Sequence, residues 1–91
     1  MVIYTNKNCK KMYLSPYVNI RSLPDVLVFQ QTLFDAEAGI VVPRSEHGKI
    51  VDYLQNGSGY CRGVLFLGKY LRSLTKAKKL FAEMLQNGIL E

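Results

Sequence analysis

Residues 25–43 read DVLVFQQTLFDAEAGIVVP, which is two apolar runs joined by a short polar segment. The runs are rich in β-branched and aromatic residues, and the joining segment begins with Asp35 and ends with Gly39. Both residue types favour turns, because Gly39 accepts a positive φ and Asp35 can bond its own backbone. The pattern predicts a β-hairpin with strands over 26–34 and 39–42. Pro43 has no N–H for a ladder, so it marks the end of the second strand.

The segment before this hairpin predicts one more strand. Val18 and Ile20 alternate with Asn19 and Arg21, as in a half-buried strand over 17–21. Pro24 then stands at the second position of a turn, where its fixed φ is favoured. The three runs together predict a three-stranded antiparallel meander. A sheet of this size leaves an edge strand, and edge strands bind extended segments.

The first helix signals follow Pro43. Ser45 is a candidate N-cap, residues 50–54 carry an apolar stripe, and Asn56 and Gly57 predict the end of the helix. Residues 58–63 are rich in glycine and predict a connection or a frayed helix start. Residues 64–71 are apolar nearly all round, which fits a short buried helix or a strand.

The clearest helix covers residues 76–87. Residues 73–75 offer an N-cap, Gly88 stands where a left-handed residue closes a helix, and Ile89 and Leu90 are expected to pack back on it. Three strands followed by three helices predict an α+β fold, a small winged-helix-like domain.

This last helix has two apolar faces. Ala77, Leu80 and Met84, followed by Ile89, have the spacing of a core stripe. A second face, about 100° to one side, contains Lys78, Phe81 and Leu85. These residues either widen the core or form the wall of a groove. In the groove interpretation Phe81 lies off the core, whereas Leu80 lies within it.

Composition predicts one small domain, and the spacing of its reactive residues predicts no catalytic activity. The 91 residues are 48% apolar, enough for a single core over 13–91 after a flexible basic lead-in over 1–12. No signal peptide or membrane-spanning run is recognisable, so we expect a soluble cytoplasmic protein. Cys9, Cys61 and His47 have no metal-ligand spacing, and no acid and base are paired. We therefore expect no catalytic residue, no metal and no cofactor.

The net charge of +5 is carried mainly by the two ends of the chain. Lys7, Lys10 and Lys11 make the first twelve residues basic, and six of the twelve Lys and Arg residues lie from Arg62 onward. A basic balance of this kind favours an acidic partner, either nucleic acid or an acidic peptide.

Four segments carry a resemblance to a known family. They are LSPYVNI (14–20), VLVF (26–29), GIVVP (39–43) and LFAEMLQNGIL (80–90). The chain resembles, over residues 13–57 and 74–91, the PqqD-like RiPP recognition element, a peptide-binding domain associated with radical SAM peptide maturases. The chain is too short for a radical SAM barrel and has no CxxxCxxC motif. The resemblance therefore implies a non-catalytic partner of a separate peptide-modifying enzyme.

The resemblance also implies a binding site. In that family the leader of a ribosomally made precursor adds as a strand to the third strand and lies against the last helix. Strand addition gives sequence-tolerant main-chain bonds, and the facing helix gives selectivity. The corresponding residues here are Gly39, Ile40, Val41, Val42, Lys76, Lys78, Phe81 and Leu85. Leaders in that family are often acidic, and Lys76, Lys78 and Lys79 would suit an acidic leader.

The alternative is a small winged-helix nucleic-acid-binding protein with the same topology and charge. Its hairpin would serve as the wing, but Asp35 and Glu37 place acidic groups where a wing meets phosphate. The last helix also lacks the cluster of Arg, Asn and Gln side chains that reads base edges.

Overall fold

The computed structural model describes residues 11–91 as a three-stranded antiparallel sheet followed by three helices, which confirms the α+β class. The elements are β1 (Val18–Ser22), β2 (Val26–Gln31), β3 (Ala36–Val41), a 3-10 turn (Arg44–Glu46), α1 (His47–Asn56), α2 (Tyr60–Leu71) and α3 (Leu74–Gln86). Most of the expected lead-in, residues 1–10 with Cys9, lies outside the described residues. Within 11–91, no helix has the length and apolar character needed to cross a membrane.

The sheet has the order β1-β2-β3 and buries one face against the helices. Leu27, Phe29 and Ile40 point into this core, as the two-residue period of a strand requires. On the opposite face Arg21 of β1 and Glu37 of β3 form an ion pair at 3.3 Å. Both side chains are half exposed, so the pair contributes at most about 1 kcal/mol.

The hairpin turns earlier than the sequence predicts. β2 ends at Gln31 instead of Phe34, residues 32–35 form the turn, and Gly39 lies inside β3 opposite Val28. Gln31 is buried, and its amide donates to the Gly88 carbonyl at 2.6 Å and accepts from the Leu33 N–H at 3.1 Å. A buried amide needs partners for both of its ends, and this position supplies them. Because Gly39 lies within β3 and not in the turn, the expectation that it supplies a positive φ there is wrong.

A histidine, and not Ser45, secures the start of α1. Ser45 lies within the 3-10 turn, so the expected N-cap is wrong, and α1 begins at His47. The buried His47 ring donates from Nε2 to the Val42 carbonyl at 3.1 Å, because a carbonyl can only accept. In the neutral ring Nδ1 then accepts from the Ser22 hydroxyl at 2.6 Å. His47 thereby joins the ends of β1 and β3 to the first helix.

Of the two alternatives for residues 58–63, the helix start is correct and the connection is wrong, and residues 64–71 continue the same helix and do not form a strand. α2 begins at Tyr60 and includes Gly63 and Gly68, both buried against α3. A Cβ atom at Gly63 would overlap the ring of Phe81, and one at Gly68 would lie 2.9 Å from Leu74 Cδ2. These glycines let two helices approach closely.

Both ends of α3 agree with the sequence. The Ser73 hydroxyl caps the helix by accepting from the Lys76 N–H at 3.2 Å. At the other end Gly88 has a φ of 73°, and the Ile89 N–H bonds the Met84 carbonyl at 2.8 Å. This is a Schellman end, and Ile89 and Leu90 pack back into the core as expected.

The segment 12–15, called the strap, closes the fold. The Tyr13 and Glu91 backbones exchange two hydrogen bonds of 2.8 Å, and the Ser15 N–H bonds the Ile89 carbonyl at 2.9 Å. On its other side the Met12 N–H bonds the Ser58 carbonyl at 2.9 Å. The strap therefore joins the residues after α1 to the residues after α3.

Two glycine-to-alanine changes in helices should have opposite effects on stability. Gly63→Ala should lower the free energy of unfolding by about 1–3 kcal/mol, because the new methyl group displaces the Phe81 ring. Gly48→Ala in α1 is the matched control, since nothing lies within 4 Å of its new Cβ. This control should raise the free energy by about 0.5–1 kcal/mol through helix propensity. Urea denaturation measures both, and a stabilised Gly63→Ala variant would contradict the close packing of α2 and α3.

Candidate functional site

β3 is an edge strand, because β2 pairs with it on one side only. The Val42 N–H bonds the Asp25 carbonyl at 3.1 Å, and this bond fixes which residues of β3 direct their backbone groups toward β2. In an antiparallel ladder, alternate residues bond the neighbouring strand. Ala38 and Ile40 therefore bond β2, and the N–H and C=O groups of Glu37, Gly39 and Val41 point away from it. β3 offers a row of outward backbone donors and acceptors.

A cavity of about 260 Å³ lies beside this edge, between β3 and the helices. We call it the β3 groove, and it is lined by Gly39, Leu71, Lys76, Lys79, Leu80 and Glu83. Leu71 and Leu80 supply apolar surface. Two lysines and one glutamate leave the groove with an excess of positive charge.

The rotation of α3 differs from the one expected from its apolar pattern. Phe81 was expected on the groove face, but its exposure is 0%. Its ring meets the ring of Tyr60 edge to face, with centroids 5.4 Å apart, and lies against Gly63. Leu80 is buried at the margin of the core and contributes to the β3 groove. The assignment of Phe81 to a groove wall is therefore wrong.

The other expected site residues are divided between different surroundings. Gly39 and Lys76 line the β3 groove, and Val41 is exposed on the edge strand. The side chains of Ile40 and Val42 are buried in the core. Lys78 and Leu85 lie on the other side of α3: Lys78 lines a separate pocket, and Leu85 is partly buried against the core.

Lys79, which was expected to suit an acidic leader, also lines the β3 groove, but three further residues were not expected there: Leu71, Leu80 and Glu83. A signal for two of these three exists, because Lys76, Lys79, Leu80 and Glu83 have the i, i+3, i+4, i+7 spacing of one helix face. Leu71 gives no such signal, since it reaches the groove from the end of α2.

The arrangement is suited to binding. The described residues contain no group of three or more His, Cys, Asp or Glu side chains that could hold a metal ion. Every buried side-chain N or O atom among them has a hydrogen-bond partner. What the β3 groove offers is outward backbone groups, apolar surface and two ammonium groups.

No protein-family model, curated protein or solved structure matches this chain.

Truncation of Phe81 should destabilise the fold. Phe81→Ala should lower the free energy of unfolding by about 3–5 kcal/mol, because it removes a wholly buried ring between α2 and α3. The matched control is Phe34→Ala, since Phe34 is 61% exposed at the hairpin turn. This control should change stability by no more than about 0.5 kcal/mol. Equal losses in urea denaturation would place Phe81 outside the core.

Proposed function

We propose that the protein binds an extended, acidic peptide segment, which adds as a fourth strand to β3 and lies in the β3 groove. The observation that carries this proposal is the position of the outward backbone of Gly39 beside Lys76 and Lys79 of α3. Main-chain bonds hold a strand with little regard to its sequence, and the facing helix selects among strands.

The groove favours a strand with a particular pattern. Successive side chains of the added strand would point alternately toward α3 and away from it. Those that point toward α3 meet the apolar Leu71 and Leu80 or the ammonium groups of the two lysines. Gly39 has no side chain to obstruct the approach of a second backbone. An apolar and an acidic residue two positions apart fit this groove.

The resemblance to PqqD-like domains supports a specific ligand. That family uses the corresponding strand and helix to hold the leader of a ribosomally made precursor. On this proposal the protein presents a leader to a separate radical SAM or other peptide-modifying enzyme. It works in the cytoplasm, where precursor and enzyme meet, and needs no cofactor of its own.

The hairpin turn is poorly suited to the nucleic-acid alternative. A wing that follows a DNA backbone needs cations at its tip. Residues 32–35 instead expose Leu33 and Phe34 beside Asp35.

Amide hydrogen exchange should reveal strand addition as an alternating pattern. A suitable probe is a peptide selected from a random displayed library for binding to this protein. In its presence the Gly39 and Val41 amides should exchange about tenfold more slowly or better, because they gain hydrogen bonds. The Ile40 amide should change little, since it already bonds β2. NMR detection of individual amides makes this measurement.

The opposite edge of the same sheet supplies the control. In the β1–β2 pair alternate residues of β1 also bond β2, and the amides of Ile20 and Ser22 point away from it. These two amides should stay unprotected. Protection at β1, or protection of β3 without alternation, would contradict strand addition at β3.

Charge reversal in the groove should weaken an acidic peptide. Lys76→Glu combined with Lys79→Glu should reduce its affinity about threefold to thirtyfold, as expected for roughly 0.3–1 kcal/mol per exposed ion pair. Lys49→Glu, an exposed lysine on α1, is the control and should have little effect. Fluorescence polarisation at two salt concentrations measures all three proteins.

Random duplex DNA provides the discriminating ligand in the same assay. DNA affinity would fall steeply with salt, whereas a peptide held partly by main-chain bonds should weaken only modestly. Micromolar binding of random duplex at physiological salt, lost in the Lys76→Glu/Lys79→Glu variant, would favour the nucleic-acid function instead.

A further inference from the structure

α3 has a second open side, facing away from the β3 groove. Lys76 and Lys78 are about 200° apart around the helix, so they serve opposite sides of it. On the Lys78 side a second cavity of about 240 Å³ lies between α2 and α3. We call it the α2–α3 groove, and it is lined by Tyr60, Cys61, Val64, Leu65, Leu74 and Lys78.

Two exposed leucines flank this groove, one from each helix. Leu65 of α2 is 62% exposed and Leu74 of α3 is 52% exposed. They are the large apolar side chains that the described helices leave exposed, and both line the same cavity. Exposed apolar side chains that cluster around a concavity mark a binding surface more often than scattered ones do.

The charged residues of α2 and of the groove lining are positive. Lys78 lines the groove, and α2 contains Arg62 and Lys69 but no Asp or Glu. Arg62 and Lys69 are three residues before and four residues after Leu65, so they share its side of α2. The acidic residue of α3, Glu83, lines the other groove. An occupant with carboxylates at its margin complements this surface. A second copy of the chain would place cations against cations, so charge disfavours self-association here.

The backbone around the groove favours a helical occupant. Both walls are helices, so the groove has no strand edge with which an extended segment could pair. A helix bonds its own backbone and needs no such edge. The β3 groove, with its outward peptide groups, has the opposite property.

We propose that the α2–α3 groove docks an amphipathic helix of a protein partner, with apolar residues along one face and carboxylates at the margin of that face. The leucines receive the apolar face, in the manner of helix-in-groove recognition. The cations Arg62, Lys69 and Lys78 meet the acidic margin. This surface is separate from the β3 groove, so a helix and an extended peptide can be bound together.

Two synthetic helices test this proposal. Both have about 18 residues and the same leucine face, but one has Glu and the other Lys at the margins. The Glu helix should bind at least about tenfold more tightly than the Lys helix in fluorescence polarisation. In the Lys78→Glu variant this preference should shrink, with the Glu helix weakened and the Lys helix strengthened. If Lys78 had only a structural role, its substitution would not weaken one helix and strengthen the other.

The groove itself is tested with matched leucine variants. Leu65→Asp should weaken the Glu helix by about tenfold or more, as loss of a central apolar contact does. Leu33→Asp is the control, because Leu33 is also 62% exposed but lies at the hairpin turn. Thermal melts verify that both variants fold. Equal effects of the two variants, or no saturable binding of either helix, would overturn the proposal.

Three further experiments distinguish a helical partner from other occupants of this groove and distinguish the groove from the β3 groove. Simultaneous binding of the Glu helix and a β3-groove peptide supports the proposal, and mutual displacement overturns it. Displacement of the helix by random duplex DNA overturns it as well. Dimers seen in sedimentation and abolished by Leu65→Asp would assign the surface to a second copy. The helix assay does not depend on the proposed peptide function, so either proposal can fail alone.

Discussion

The contact between the Phe81 ring and the backbone of Gly63 fixes how α3 is rotated. No side chain at residue 63 separates the helices, so the ring lies directly against α2 and is wholly buried. With Phe81 inward, Leu80, Lys76 and Glu83 face β3, while Leu74 and Lys78 face outward beside Leu65. A rotation by one residue would carry these side chains about 100° around the helix and exchange the surroundings of both grooves. The character of each surface thus depends on one close approach.

The features set by local sequence were predictable, and those set by distant contacts were not. Strand alternation and the glycine-closed end of α3 are local, and both are present. The position of the hairpin turn depends on Gln31, whose side-chain amide bonds the carbonyl of Gly88, a residue 57 positions away. The local sequence around Gly39 cannot indicate a bond to so distant a residue. The apolar residues of α3 cover such a broad arc of the helix that the sequence does not show which of them faces the core most directly. Gly63 of α2 decides this, because the absence of a side chain there makes room for the Phe81 ring. The sequence placed the candidate site on β3 and α3, and the β3 groove lies between them with Gly39 and Lys76 in its lining. Lys78 and Phe81, which were expected there too, lie elsewhere on α3.

The open edge of β3 is too short to hold a ligand by backbone bonds alone. It is limited by the turn at 32–35 and by Pro43, so three residues point outward. These can make about six main-chain bonds, each contributing about 0.5–1.5 kcal/mol net. Association costs about 4–15 kcal/mol before any affinity appears, which is at least as large as the roughly 3–9 kcal/mol that six such bonds contribute. An added strand would therefore need side-chain contacts with Leu71, Leu80 and the lysines for its affinity, and the same contacts would supply selectivity.

The strap has a consequence for the order in which the nascent chain can fold. Residues 12–15 leave the ribosome well before their partners Ile89 and Glu91, which are made about 75 residues later. At roughly 5–20 residues per second, Tyr13 waits on the order of 4–15 s for its partner. The hairpin of β2 and β3 is complete long before this, with its apolar face lacking the helix that covers it. Closure of the domain therefore waits until Glu91 has left the ribosome, and until then the growing chain exposes a bare sheet to other segments in the cell.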